Sequence, residues 1–147
     1  TDSVGKIQCH NQMLLTVIKR ENNIYWYDLR ANSTVKQLEG HKDAAFSLNY
    51  NTISNQLISG SRDGEIILWN MNTGEPIRSF IGHSSTVMAL QLDLEKIVSG
   101  SGDRCIKIWD IETGNCTSTL LKHKEPIMSI KNDDHKIVSG SADKSVI

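Results

Sequence analysis

Residues 96–114 read KIVSGSGDRCIKIWDIETG, and the same sentence stands forty residues earlier, at 56–74, as QLISGSRDGEIILWNMNTG; it starts a third time at 136 as KIVSGSADKSVI. Trp69 and Trp109 are 40 residues apart, as are Asp63, Asp103 and Asp143, and Gly40-His41, Gly82-His83 and Lys122-His123 keep the same beat with steps of 42 and 40. A period of this size restricts a chain to a repeat architecture, in which each unit is one supersecondary element that buries its apolar faces only against its neighbours. Each copy has the same grammar: an apolar run ending in Ser-Gly-Ser, a polar turn centred on aspartate, an alternating run closing on Trp69-Asn70 or Trp109-Asp110, then a Thr-Gly turn. Period-two runs either side of a tight polar turn spell antiparallel strands, and Gly and Asp supply the turn chemistry. The class that follows is all-β.

These residues resemble the WD-repeat family, whose signature is a Gly-His upstream and a Trp-Asp downstream of a four-stranded unit. The resemblance implies a β-propeller, its small antiparallel sheets set like blades round a channel. The expectation is a partial β-propeller of about three and a half four-stranded antiparallel blades in a single WD-repeat segment, 1–147, with blades near 4–38, 45–81, 86–121 and an incomplete 126–147. Propellers take about four to eight blades, so these residues do not close a ring. Either more chain or a second copy is expected to supply the rest, and the fragment explanation is preferred.

Strands are expected at 45–50 (innermost), 56–60, 65–70 and 76–81 (outermost, with Pro76 at its start, where a missing ladder donor is tolerated), and again at 86–92, 96–100, 105–110 and 116–121. The fourth blade has 126–131 and 136–140. The first, at 4–9, 13–18, 24–28 and 35–38, keeps the apolar alternation but has exchanged the signature: shifted by 42, Tyr27 takes the place of Trp69, Glu21 that of Asp63 and Val17 that of Ser59.

In the family, the histidine before the blade, a serine in the second strand, the turn aspartate and the tryptophan form a hydrogen-bonded set. By that resemblance His41, Ser59, Asp63 and Trp69 make one set and His83, Ser99, Asp103 and Trp109 another, while His123, Ser139 and Asp143 make a third without its tryptophan. The chemistry suits such a role: a carboxylate fixes a histidine tautomer, and the other ring nitrogen meets a hydroxyl that in turn meets the indole N–H. A serine, histidine and aspartate also spell a hydrolase triad, but a triad needs one exposed, activated serine with oxyanion donors. Here the trio recurs at a fixed period, and no nucleophile-elbow pattern is present. The structural role is the expected one, and no enzyme activity is expected.

The turns between second and third strands open, in this family, onto the face used for partner binding. They carry Arg62, Arg104 and Lys144, with Arg20 aligned to Arg62 in the first blade. A ring of cations follows from that alignment, suited to a peptide bearing acidic or phosphorylated residues. Charged turns that serve only solubility are the plain alternative. The compact IVSGS-x-D-x-x-IKIWDIETG-x-C blade is also similar to the propellers of F-box/WD-repeat substrate receptors of ubiquitin ligases, in which arginines near these turns grip phosphorylated degrons. Met88 sits where a further arginine is expected from that likeness. A propeller carried as an appendage of a larger enzyme, such as a kinase, is the remaining alternative.

Net charge is −1, from 16 basic and 17 acidic residues without a like-charge block, which disfavours nucleic-acid and membrane-surface partners. Cys9, Cys105 and Cys116 form no Cys-x-x-Cys pair, so no metal or cofactor is expected. With neither a signal-peptide pattern nor an apolar run of spanning length, a cytoplasmic or nuclear protein that binds protein or peptide partners is the expectation.

Overall fold

The computed structural model describes residues 4–10, 12–18, 21–133 and 135–147. The first sheet has β1 (Val4–His10), β2 (Met13–Ile18), β3 (Ile24–Asp28) and β4 (Ser33–Leu38). The second has β5 (Ala45–Asn51), β6 (Gln56–Ser61), β7 (Ile66–Asn70) and β8 (Glu75–Phe80). The third has β9 (Val87–Leu92), β10 (Lys96–Ser101), β11 (Ile106–Asp110) and β12 (Cys116–Leu120). Last come β13 (Ile127–Asn132) and β14 (Ile137–Ser141), with a bridge from Gly140 to Val146 beginning a third strand. Within each sheet the strands pair antiparallel in sequence order, so each blade is a meander joined by tight turns. First strands neighbour first strands, β1 beside β5, β5 beside β9 and β9 beside β13, and they line a channel.

Apolar character on both faces of a strand is what stacks the blades. In β7, Ile67 and Trp69 enter the cluster shared with the first sheet, while Ile66 and Leu68 enter the cluster shared with the third. In β10, Ile97 faces back to the second sheet and Val98 forward to the fourth. Because successive side chains point to opposite faces, one strand of five residues serves two interfaces. Trp69, Phe80, Leu57, Ile58, Ile66 and Ile97 are fully buried, and burying an aliphatic side chain of this kind stabilises by about 1.5–3 kcal/mol. The sheets approach so closely at Gly100 that a Cβ there meets Ile127 Cγ2 at 2.5 Å. The glycine of Ser-Gly-Ser is therefore set by the neighbouring blade.

One register differs from the ungapped reading. Leu15 pairs with Trp26 as Ile58 pairs with Leu68, and Thr16 pairs with Tyr25 as Ser59 pairs with Ile67. Thr16, not Val17, therefore stands in the place of Ser59, and Val17 takes the place of Gly60. The cause is the connection after β2, residues 19–23, which is one residue longer than 62–65 after β6. A slip of one residue exchanges the faces of a strand. Thr16 carries its hydroxyl inward, buried and without a hydrogen-bond partner among the described residues.

Candidate functional site

The polar sets stand at one end of the blades, where the β6–β7 and β10–β11 turns meet the segments that enter β5 and β9. In the third blade the set is complete. His83 Nδ1–H donates to Asp103 Oδ2 at 2.8 Å, Ser99 Oγ–H donates to His83 Nε2 at 2.8 Å, and Trp109 Nε1–H donates to Ser99 Oγ at 2.8 Å. Asp103 also accepts the backbone N–H groups of Ser84 at 3.0 Å and Cys105 at 2.9 Å, so it ties the entering segment to the turn. Burial holds the His83 pKa below its ordinary value despite the carboxylate beside it. For Asp103, burial pushes upward, but hydrogen bonds from Cys105, His83 and Ser84 together bring the carboxyl below the usual range.

The fourth blade repeats this with His123 to Asp143 at 3.0 Å and to Ser139 at 2.8 Å. Ser145 enters as an added member, donating to Asp143 Oδ1 at 2.5 Å, and its hydroxyl and the Lys124 N–H hold the Asp143 carboxyl well below the usual carboxylate range. No tryptophan is in this set. Ser139 Oγ also lies 3.4 Å from the Ile147 carbonyl, as Ser99 Oγ lies 3.3 Å from the Lys107 carbonyl in the third blade.

The second blade departs from the expectation. His41 Nε2 meets Ser59 Oγ at 2.6 Å and Trp69 Nε1–H donates to Ser59 Oγ at 2.8 Å, but Asp63 is not part of the set. Its side chain is exposed and accepts the Glu65 N–H at 2.9 Å, leaving His41 Nδ1 buried without a partner. The residue two after the aspartate separates the cases: Cys105 or Ser145 in the complete sets, Glu65 here. With the Glu65 carboxylate in the same turn, drawing Asp63 inward brings two like charges together away from water, which is unfavourable. Burial pushes the His41 pKa down, so the ring is neutral.

Ser59, Ser99 and Ser139 are buried at the bottom of these sets with their hydroxyls engaged. Among the described residues, no group of three His, Cys, Asp or Glu side chains is arranged to hold a metal ion.

Arg62, Arg104 and Lys144 are all exposed on the turns of this end, but they do not form one matched ring. Arg62 is the first residue of its turn, its N–H donating to the Ala44 carbonyl as those of Gly102 and Ala142 donate to Thr86 and Pro126. Arg104 and Lys144 instead hold the left-handed position, φ 70° and 67°, that Gly64 holds at 88° in the second blade. Arg20 lies outside the described residues. Inside the cations runs a second row: Phe46, Met88 and Met128 each sit at the register irregularity of an innermost strand, where the bulge re-aims a side chain. Phe46 and Met128 are exposed and Met88 is half-buried. Met88 and Met128 line the channel.

Sequence reasoning overlooked a cross-blade clasp. Lys36 Nζ of β4 donates to the Thr73 carbonyl, with Glu75 at 3.7 Å, and Arg78 Nη1 of β8 donates to the Thr113 carbonyl at 3.2 Å. The cation's stem lies against the glycine of the next Thr-Gly turn. A Cβ on Gly74 collides with Lys36 Cδ, and one on Gly114 meets Arg78 Cδ at 3.0 Å. The signal was present, since Lys36 and Arg78 are 42 apart and Thr73 and Thr113 are 40 apart.

Antiparallel sheets laid side by side round a channel, the second and third pinned at one end by histidine, serine and tryptophan, define the chain as part of a β-propeller. It belongs to the WD-repeat family: the family described as WD domain, G-beta repeat matches residues 32–70, 74–110 and 114–147. The first of those units begins on β4 and ends on β7, so a sequence repeat straddles two blades. Domains of this family generally serve protein interaction.

Among curated proteins the chain is similar to Protein FIZZY-RELATED 3 of Arabidopsis thaliana, 32% identical over 81 residues, which is 54% of this chain and 17% of that protein. It is similar to the B-type cell cycle switch protein ccs52A of Medicago truncatula, 31% over 78 residues, 52% of this chain and 16% of that one. It is also similar to Cell division control protein 4 of Candida albicans, 32% over 92 residues, 63% and 14%. The chain thus spans less than a fifth of the length of these relatives. Among solved structures it resembles the computationally designed Ika4 protein, TM-score 0.89 at 26% identity over 99% of this chain and 89% of that one. It likewise resembles the WD40 beta propeller domain of Doa1, TM-score 0.84 at 28% identity over 98% and 49%.

Proposed function

We propose that this segment is a non-enzymatic scaffold that binds a protein partner on the end of the blades carrying the β6–β7 and β10–β11 turns, and that the partner presents acidic or phosphorylated residues beside apolar ones. The observation that carries this reading is the backbone at Arg104 and Lys144. A left-handed conformation costs a residue with a Cβ about 1–2 kcal/mol, and glycine, as at Gly64, adopts it freely. Two consecutive repeats nonetheless place an exposed cation there, and strain kept at an exposed turn is motivation for a binding role. Asp103 and Asp143, which are nearest in sequence, already accept hydrogen bonds within their own sets, so they do not neutralise the cations by pairing. The polar sets make the platform stiff, while Phe46, Met88 and Met128 offer apolar contact further in. A platform of this kind, rigid below and variable above, is how loops carry recognition.

The similarity of the blade to F-box/WD-repeat substrate receptors and the exposed Arg62 and Arg104 support a second reading, a substrate receptor that grips phosphorylated peptides. Met88 at the channel favours the mixed apolar and acidic peptide over a purely phosphate-directed one. The test is capture from an array of acidic, phosphorylated and neutral peptides. Replacing Arg62→Glu together with Arg104→Glu should reduce capture of acidic peptides by about tenfold or more, the size of one or two charge-assisted contacts. Capture that is unchanged refutes the reading.

A further inference from the structure

We propose that the opposite end of the first two blades holds a pocket for one aromatic side chain of a partner polypeptide. A cavity of about 200 Å³ opens there between the first and second sheets, walled by Trp26, Tyr50, His10, Met13, Met71 and Leu15. It lies at the β1–β2 and β5–β6 turns, away from the cations and from the polar sets, so it goes beyond the function proposed above.

Three observations fix the chemistry of the occupant. No carboxylate, ammonium or guanidinium lines the pocket among the described residues, so the group it takes is uncharged. Rings and thioethers make up most of its wall, with Gln8 and Thr52 as the polar members: Trp26 and Tyr50 are half-buried, the His10 and Tyr50 rings are 5.9 Å apart and tilted by 56°, and Met13 and Met71 supply sulfur. Ring edges and thioethers both favour an aromatic guest over an aliphatic one. The volume is below the range of about 300–1,000 Å³ typical of pockets for whole small molecules and suits a single large side chain, the way interface anchors fill pockets. Tyr50 is fixed in place, its hydroxyl donating to Asn55 Oδ1 at 2.5 Å and its N–H to Gln8 Oε1 at 3.0 Å. Beside the mouth, the residue after Thr52 is Ile53, 81% exposed, which adds apolar surface for the chain that carries the anchor.

The next junction shows that propeller packing does not require these residues. In the same registers, Trp26, Tyr50 and Met71 are replaced by Leu68, Leu92 and Ile111, all of them part of or packed against the second apolar cluster, with Leu68 and Leu92 buried. The first junction keeps large rings half in solvent where the second closes with aliphatics.

The chain's four methionines divide between the two ends: Met13 and Met71 line this pocket, Met88 and Met128 the channel. Titrating the intact chain, labelled with ¹³C-methyl methionine, with N-acetyl-L-tryptophanamide therefore reads both places at once. The expected result is saturable movement of the Met13 and Met71 signals with a Kd of about 1 mM, ordinary for a fragment of this size, while Met88 and Met128 stay still. Trp26→Leu should weaken binding about tenfold or more, and Met71→Ile, read through Met13, should do the same if Trp26→Leu disturbs folding. Charge reversal at Arg62 and Arg104 should leave this titration unchanged, so failure here and failure of the loop-face reading are separable. Absence of saturable movement at Met13 and Met71, movement of all four methionines together, affinity untouched by both variants, or binding of free indole without binding of N-acetyl-L-tryptophanamide would each overturn the proposal.

Discussion

His41 and His83 sit in the same signature, one blade apart, and do different things. Both rings are buried and both meet a serine that accepts an indole N–H. Only His83 has a carboxylate on its other nitrogen, and only there is the segment entering the blade tied to the turn through Asp103 and the Ser84 N–H. The aspartate is present in both sequences, so the letter is not the interaction. The serine and tryptophan suffice to hold a histidine, whereas recruiting the aspartate depends on what else shares its turn.

The most forceful way to break this comparison is to remove both aspartates separately. Asp103→Ala leaves the buried Nδ1 of His83 without an acceptor and should destabilise the chain by about 2–3 kcal/mol; Asp63→Ala should stay within about 0.5 kcal/mol. Equal losses in chemical denaturation would show that Asp63 is engaged after all. Acid should act next. Burial depresses the pKa of both His41 and His83 below 6.5, so the unfolded chain takes up protons before the folded one, and stability falls as pH drops from about 6.5 toward the folded values. A second loss follows lower down, because the depressed Asp103 carboxyl contributes stability above its unfolded pKa near 3.8 that disappears as pH falls through its folded value. Thermal melts from pH 7.5 to 3 should show both phases, with the lower one diminished in Asp103→Ala; melts flat between pH 7 and 5 would contradict neutral buried rings. The smallest effect sharpens the contrast instead of breaking it. Glu65→Ser copies the fourth blade, where Ser145 donates to Asp143, and should raise stability by about 1 kcal/mol through a new bond to His41. That bond would be visible as a slowed, downfield imidazole N–H.

Much of the architecture was legible because period-two alternation survives where signature residues do not. β3 spans the residues that its pattern predicts, 24–28, although Tyr27 has replaced the tryptophan. Other strand ends moved by a residue or two, as at β4 and β8, where turn and strand share polar residues. Two misreadings have different causes, an ungapped shift in the first blade and, for the cations, grouping by turn where the 40-residue period sets Arg62 opposite Gly102. The extra residue after β2 moved Thr16 into the place assigned to Val17, and setting Arg62 level with Arg104 concealed that they differ by two positions within the turn. The orientation of Asp63 was not legible, since the same letter in the same turn is engaged in one blade and exposed in the other. The clasp was legible and overlooked: Lys36 and Arg78 look like ordinary surface cations until the Thr-Gly turns they reach are seen to share their period.

That clasp gives the stack a polarity. Lys36 and Arg78 both reach forward, from an outermost strand to the turn of the following blade, and never backward. Blades transplanted in reverse order would keep their oily flanks yet find no carbonyl waiting, so recombination of such units is grammatical in one reading direction only. Ser118 stands where a third cation would come in that frame. Its side chain is too short for the same reach, so the direction of the stack is written in two cations and the turns they hold.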